Sequence, residues 1–161
     1  MITDLNNNLG KLNDIAKPYF TKFFSEIQSY VDEIIITGVI YSYADSVKLH
    51  NKDSRNPIWN FHEFGIAVDL NIRINNRRFV KADIIDDWIK TGVISDAEEL
   101  GIRWGGRFNG YPDCVHFDIA NILIKKYNLN NVYELISYLE DMAKNEFGNN
   151  LMTAELNRLT F

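Results

Sequence analysis

The chain has 161 residues, 46% hydrophobic and 13% aromatic, enough for one domain with a real core. Its net charge of −5 argues against a nucleic-acid partner, whose phosphates require a basic face. No apolar run reaches the roughly 18 residues of a membrane span, and the start, MITDLNNNLGKLNDIAKPYF, has neither the basic flank nor the apolar core of a secretory signal. The expectation is a monomer made in the cytoplasm. Action outside the cell would need lysis, a holin or a phage particle. The one cysteine, Cys114, has no internal disulfide partner and reads as a small buried hydrophobe before a ligand or nucleophile.

In chain order, Leu12, Ile15, Ala16, Tyr19, Phe23, Ile27, Tyr30 and Val31 recur at steps of three and four, which predicts a helix within 11–32. Pro18 falls inside it, so the helix starts or kinks there. Glu33–Ile40 is dense in isoleucine and reads as a buried strand. Tyr43–His50 reads as a short helix and Asn51–Asn60 as a polar loop. In Phe61–Ile72 the alternation of Ala67, Asp69 and Asn71 with Val68, Leu70 and Ile72 predicts a terminal strand. Asn75-Asn76 marks a tight turn, with Phe79 and Val80 returning as a strand.

Ala82–Lys90 and Ser95–Leu100 read as helices, the second with a Ser95–Glu98 capping box and Gly101 as its stop. Ile102–Trp104 and Cys114–Ile119 read as strands flanking a glycine-rich loop, Gly105–Pro112. Asn131–Lys144 is an amphipathic helix with Val132, Leu135, Ile136, Leu139 and Met142 on one face, and Asn145–Phe161 is a candidate docking helix. Strands and helices mix without βαβ regularity. The predicted class is therefore α+β, a small antiparallel sheet flanked by helices in one domain, 1–161.

The chain's histidines are His50, His62 and His116. His62 lies in Asn-Phe-His-Glu-Phe-Gly-Ile-Ala-Val-Asp and His116 in Tyr-Pro-Asp-Cys-Val-His-Phe-Asp. Two imidazoles and one carboxylate, here Asp69, suit a catalytic zinc with a fourth position for water. The same ligand types also suit non-haem iron. Gly65 lets the chain bend between His62 and Asp69. On its strand His116 shares a face with Asp118. Asp113 follows Pro112 in the turn, where a carboxylate can reach back and carry a proton.

These motifs resemble the zinc peptidases that include D-alanyl-D-alanine carboxypeptidases and phage L-alanyl-D-glutamate endopeptidases. The family pattern is S-x-H-x-x-G-x-A-x-D, then W-G-G, then an acid shortly before a second histidine. The counterparts here are Asn60 to Asp69, Leu100 to Phe108 around Trp104-Gly105-Gly106, and Asp113 to Asp118. The likeness covers about 34–120, leaving helices over 121–161.

The resemblance implies a fold shared with the hedgehog signalling domain. It implies a Zn2+ held by His62, Asp69 and His116, with Asp113 as general base. Trp104 and its glycines would shape the cleft floor, while Asp118, from its place on the strand, is a candidate to support a ligand or contact substrate. Two positions depart from the pattern. Asn60 replaces the family serine but can still hydrogen-bond near the metal. Tyr41 replaces an arginine suited to a substrate carboxylate or an oxyanion, with Arg55 and Arg107 as candidate substitutes. The implied activity is hydrolysis of an amide in peptidoglycan stem peptides, first the L-alanyl-D-glutamate bond. The alternatives are a D,D- or L,D-carboxypeptidase and a non-catalytic zinc-binding module of a virion or wall.

Overall fold

A computed structural model describes residues 1–4, 6–39, 51 and 61–147, with side chains through Met142. The readings for Tyr43–His50 and Asn145–Phe161, and the positions of Asn60, Tyr41 and Arg55, lie wholly or mainly outside these residues. The chain forms two compact units, Met1–Asn121 and Ile122–Phe161.

Among the described residues, the first unit is built on a six-stranded sheet. Its strands are β1 (Ile2–Asp4), β2 (Glu33–Gly38), β3 (Ala67–Ile74), β4 (Arg77–Phe79), β5 (Arg103–Trp104) and β6 (His116–Asp118). The order is β1-β2-β3-β6-β5, with β4 hairpinned onto β3. Most pairings are antiparallel, as the α+β reading requires, but β1 joins β2 in parallel. The three-residue β1 offers too short a pattern to be read as a strand. The β3–β4 turn is the expected one, since Asn75 and Asn76 take φ of 50° and 65°. Asparagine tolerates that left-handed pair, which matches the twist of a hairpin.

Helix α1 (Lys17–Ile27) takes Pro18 into its first turn rather than kinking there. Proline suits a first helical turn, where its missing N–H has no partner to lose. Phe20, Phe23, Phe24 and Ile27 of α1 are buried. Phe23 packs on Phe117 of β6 at 5.4 Å between ring centroids, and Trp88 of α2 (Ile85–Ile89) lies 6.4 Å from the same ring. Helices therefore cover the sheet face that bears Val68, Leu70 and Phe117.

Two helix starts differ from expectation. The segment from Ala82 turns first and becomes helical only at Ile85, because the Asp83 carboxylate accepts the Val80 N–H at 2.7 Å and holds a turn. Helix α3 (Val93–Glu99) starts at Gly92, so Ser95 lies inside it and forms no capping box. Its hydroxyl points toward Glu99 instead, at 3.5 Å. Gly101 follows with φ of 78°, the predicted stop.

Helix α4 (Ala120–Lys126) leads into the second unit, whose main element is α5 (Val132–Phe147). Asn131 caps α5 by accepting the N–H groups of Tyr133 and Glu134 at 2.9 and 3.1 Å. Leu135 and Leu139 are buried, as the amphipathic pattern predicts.

Candidate metal centre

The sheet register builds the centre. Asp69 on β3 pairs directly with His116 on β6, while Val68 pairs with Phe117 and Ala67 with Asp118. Directly paired residues share a face, and successive residues alternate between faces. The apolar pair Val68–Phe117 thus faces the helices, and Asp69, His116 and Asp118 share the other side. His62 arrives from the turn that precedes β3. Gly65 in that turn takes φ of +65°, and a Cβ there would lie 2.9 Å from the Asn13 backbone nitrogen. That glycine therefore lets the chain double back from His62 to Asp69.

Three donor atoms converge. His62 Nε2 lies 3.1 Å from Asp69 Oδ1 and 3.0 Å from His116 Nδ1, and His116 Nδ1 lies 3.4 Å from Asp69 Oδ1. Tetrahedral coordination with bonds of about 2.0–2.1 Å sets donor atoms about 3.3–3.4 Å apart. The triangle fits a metal ion to within a few tenths of an ångström.

The outer ring nitrogens strengthen that reading. His62 Nδ1 is 2.9 Å from the Val39 carbonyl oxygen, which can only accept, so this nitrogen carries hydrogen. His116 Nε2 is 2.9 Å from Asp118 Oδ2 and by the same logic donates to that carboxylate. In neutral rings the inner nitrogens then present lone pairs to each other and to the Asp69 carboxylate. Three lone pairs at such distances repel unless a cation or a proton lies among them. Outer nitrogens tied to a carbonyl and a carboxylate are the usual support of metal-binding histidines.

Without a metal, a proton takes that place. Burial opposes charging His116, but hydrogen bonds to Asp118 and Asp69 outweigh it and push its pKa up to about 9. Burial likewise opposes ionising Asp69, yet His62 and His116 hold its carboxyl well below the usual range. Asp118 is fully buried, and its carboxyl is also held low by His116 and Arg103 against the effect of burial. Arg103 donates to it from Nε at 3.0 and 3.1 Å and from Nη2 at 2.8 Å, and the Ala120 N–H adds 2.9 Å. The Arg103 guanidinium also lies over the rings of Phe61 and Phe108, at 5.1 and 4.8 Å.

Asp113 occupies the turn before β6, as its following Pro112 suggested. Its N–H donates to the Gly105 carbonyl at 2.9 Å, and its own carbonyl accepts the His116 N–H at 3.2 Å. The Trp-Gly-Gly element holds this turn. A Cβ on Gly105 would lie 2.5 Å from the Asp113 carbonyl oxygen and 2.9 Å from the His116 Cβ, and one on Gly106 would overlap the Trp104 indole. Trp104 is buried and donates its Nε1–H to the Cys114 carbonyl at 2.8 Å. Asp113 Oδ2 pairs with Lys81 Nζ at 2.5 Å, whereas Oδ1 is buried without a hydrogen-bond partner among the described residues.

Arg107, a candidate for the missing cation, forms an exposed pair with Glu98. Lys81 escaped the sequence reading because nothing in its local pattern marks it. Beside it runs a groove of about 560 Å³, lined by Lys81, Ile84, Pro112 and Cys114 among others. Cys114 is buried, consistent with its reading as a small hydrophobe.

Fold and site define a small α+β domain with a three-donor centre suited to a metal ion on one sheet face. Residues 53–119 match the family model described as D-alanyl-D-alanine carboxypeptidase, a peptidase family, and that span contains His62, Asp69, Asp113 and His116. The matching model describes the same family that the motifs resemble, over about two fifths of the chain. The crystal structure of the Serratia marcescens L-Ala D-Glu endopeptidase ChiX is similar over 79% of this chain and 93% of that chain, with a TM-score of 0.56. The identity is 18%, so that likeness speaks for the shared fold alone. No curated protein sequence matches the chain.

Proposed function

We propose that the protein is a zinc-dependent peptidase that cuts an amide in peptidoglycan stem peptides, with the L-alanyl-D-glutamate bond as its first candidate. The observation that carries this reading is the donor triangle of His62, Asp69 and His116, with both outer ring nitrogens already committed. These three residues would hold the zinc, and two imidazoles with one carboxylate leave the ion net positive. When bound, zinc supplies Lewis acidity toward a carbonyl and lowers the pKa of water to about 7.

The rest falls to the chain's own groups. Asp113 takes the proton from the attacking water and returns it to the leaving amine, a role for which its unpartnered Oδ1 is suited. Asp118 fixes the His116 tautomer, and Arg103 keeps Asp118 ionised where it is buried. The family match supports hydrolysis of wall peptides, and its description also admits a carboxypeptidase.

Mass analysis of purified peptidoglycan digested with the zinc-loaded protein tests the proposal. Stem release at L-alanine is the expected result, and loss of a terminal D-alanine would replace it with the carboxypeptidase reading. No cleavage of any wall preparation, at one bound zinc per chain, would overturn both and leave a non-catalytic metal module.

A further inference from the structure

Lys81 matches no motif, yet it meets the proposed base more closely than any other charged side chain described. Its backbone is held tightly. Immediately after β4, the Val80 N–H donates to Asp83 Oδ2 at 2.7 Å, and the Asp83 N–H donates back to the Val80 carbonyl at 3.1 Å. The same carbonyl accepts the buried Trp88 indole N–H, also at 3.1 Å. Lysine is a flexible residue, but here it starts from a pinned turn. Its ammonium lies 5.3 Å from the centroid of the Tyr111 ring and 2.5 Å from Asp113 Oδ2. The Asp113 backbone is fixed separately, through Gly105 and His116. What the backbone leaves free is rotation of the carboxylate, and Lys81 restrains that rotation.

Among the described residues, nearby cations do not share this task. Arg103 is bound to Asp118, Arg107 to Glu98, and Arg77 to Asp83 and Asp87. We propose that Lys81 is a positioning residue: by holding Oδ2 of Asp113 it leaves the buried, unpartnered Oδ1 as the oxygen that exchanges the proton. The proposal rests on the peptidase reading above. It also gives the chain a cation beside the reacting groups, although Tyr41 stands where the family has arginine. A positioned base contributes about 10²–10⁴-fold to rate, so losing its orientation should remove part of that factor.

The test compares wild type, Lys81→Met and Lys81→Arg as zinc-loaded proteins on one stem-peptide substrate, with zinc content measured for each. The expected result for Lys81→Met is full zinc, a kcat lowered about tenfold or more and an unchanged KM, with Lys81→Arg recovering most of the rate. In the metal-free proteins, the Asp113 carboxyl carbon NMR signal should move in Lys81→Met and stay near its wild-type position in Lys81→Arg. A wild-type rate in Lys81→Met, or an unmoved carboxyl signal, would overturn the proposal. So would a raised KM at constant kcat, which would make Lys81 a substrate-binding group. An inert wild type with full zinc would instead sink the peptidase reading, and the carboxyl signal would still report whether the Lys81–Asp113 pair exists.

Discussion

Asp69 and His116 face each other across paired strands, so the register that buries Val68 against Phe117 also sets their separation. Asp113 has no such frame. It sits on a turn kept in place by two glycines, a tryptophan and one lysine. The sheet region and the turn region meet at His116, which belongs to both through the Asp113 carbonyl. The contrast separates binding from chemistry. The donor triangle depends on strand pairing, which resists local change, whereas the base depends on close contacts that a single substitution can shift.

The largest expected effect separates the two regions outright. Asp113→Asn should keep one zinc per chain and lower kcat by about 10²–10⁴-fold. Zinc analysis beside stem-peptide kinetics checks it, and loss of zinc would mean that the turn belongs to the metal site. Asp118→Asn acts on the sheet region. It should weaken zinc about 10–100-fold, the usual cost of disturbing a group behind a ligand, as measured by competition with a chelator. Unchanged affinity would show that His116 needs no carboxylate behind it.

Next in size is the pH response. Zinc must displace a proton from His116, whose pKa in the metal-free protein is raised to about 9. Affinity should therefore climb about tenfold per pH unit up to that point. Stability of the metal-free protein follows the same linkage. A raised histidine pKa contributes stability that is complete below its unfolded value of about 6.5 and is lost as pH rises through about 9. The lowered carboxyls of Asp69 and Asp118 contribute stability that is present above about pH 4 and is lost on acidification. Taken together, these groups favour about pH 4–6.5 without metal, and bound zinc should remove the alkaline loss. Thermal melts across pH, with and without zinc, would show it. The smallest effect should be that of Gly106→Ala, about 1–3 kcal/mol of stability, because the new methyl overlaps Trp104. Denaturant titration measures that loss, and a silent substitution would remove the steric account of the Trp-Gly-Gly element.

Much of the sheet region was legible in the sequence because its signal is periodic. Alternation in Ala67–Ile72 placed Asp69 opposite its apolar neighbours, and the same rule put His116 with Asp118. Asn75-Asn76 and Gly101 marked a turn and a stop because few residues accept positive φ. Other features carry no such local mark. Strand β1 is three residues paired in parallel to a segment thirty-two residues away. Ser95 and Glu98 have the spacing of a capping box, but Gly92 starts the helix earlier. Lys81 meets Asp113 across thirty-two residues through tertiary folding alone.

The central claim is that the sheet register makes a zinc site from His62, Asp69 and His116. The most direct test is zinc content after dialysis, for wild type and for Asp69→Ala, with folding of both checked by circular dichroism. The account predicts one tightly held zinc per wild-type chain and none in a folded Asp69→Ala. A folded wild type that retains no zinc, or an Asp69→Ala protein that holds it equally well, would contradict it.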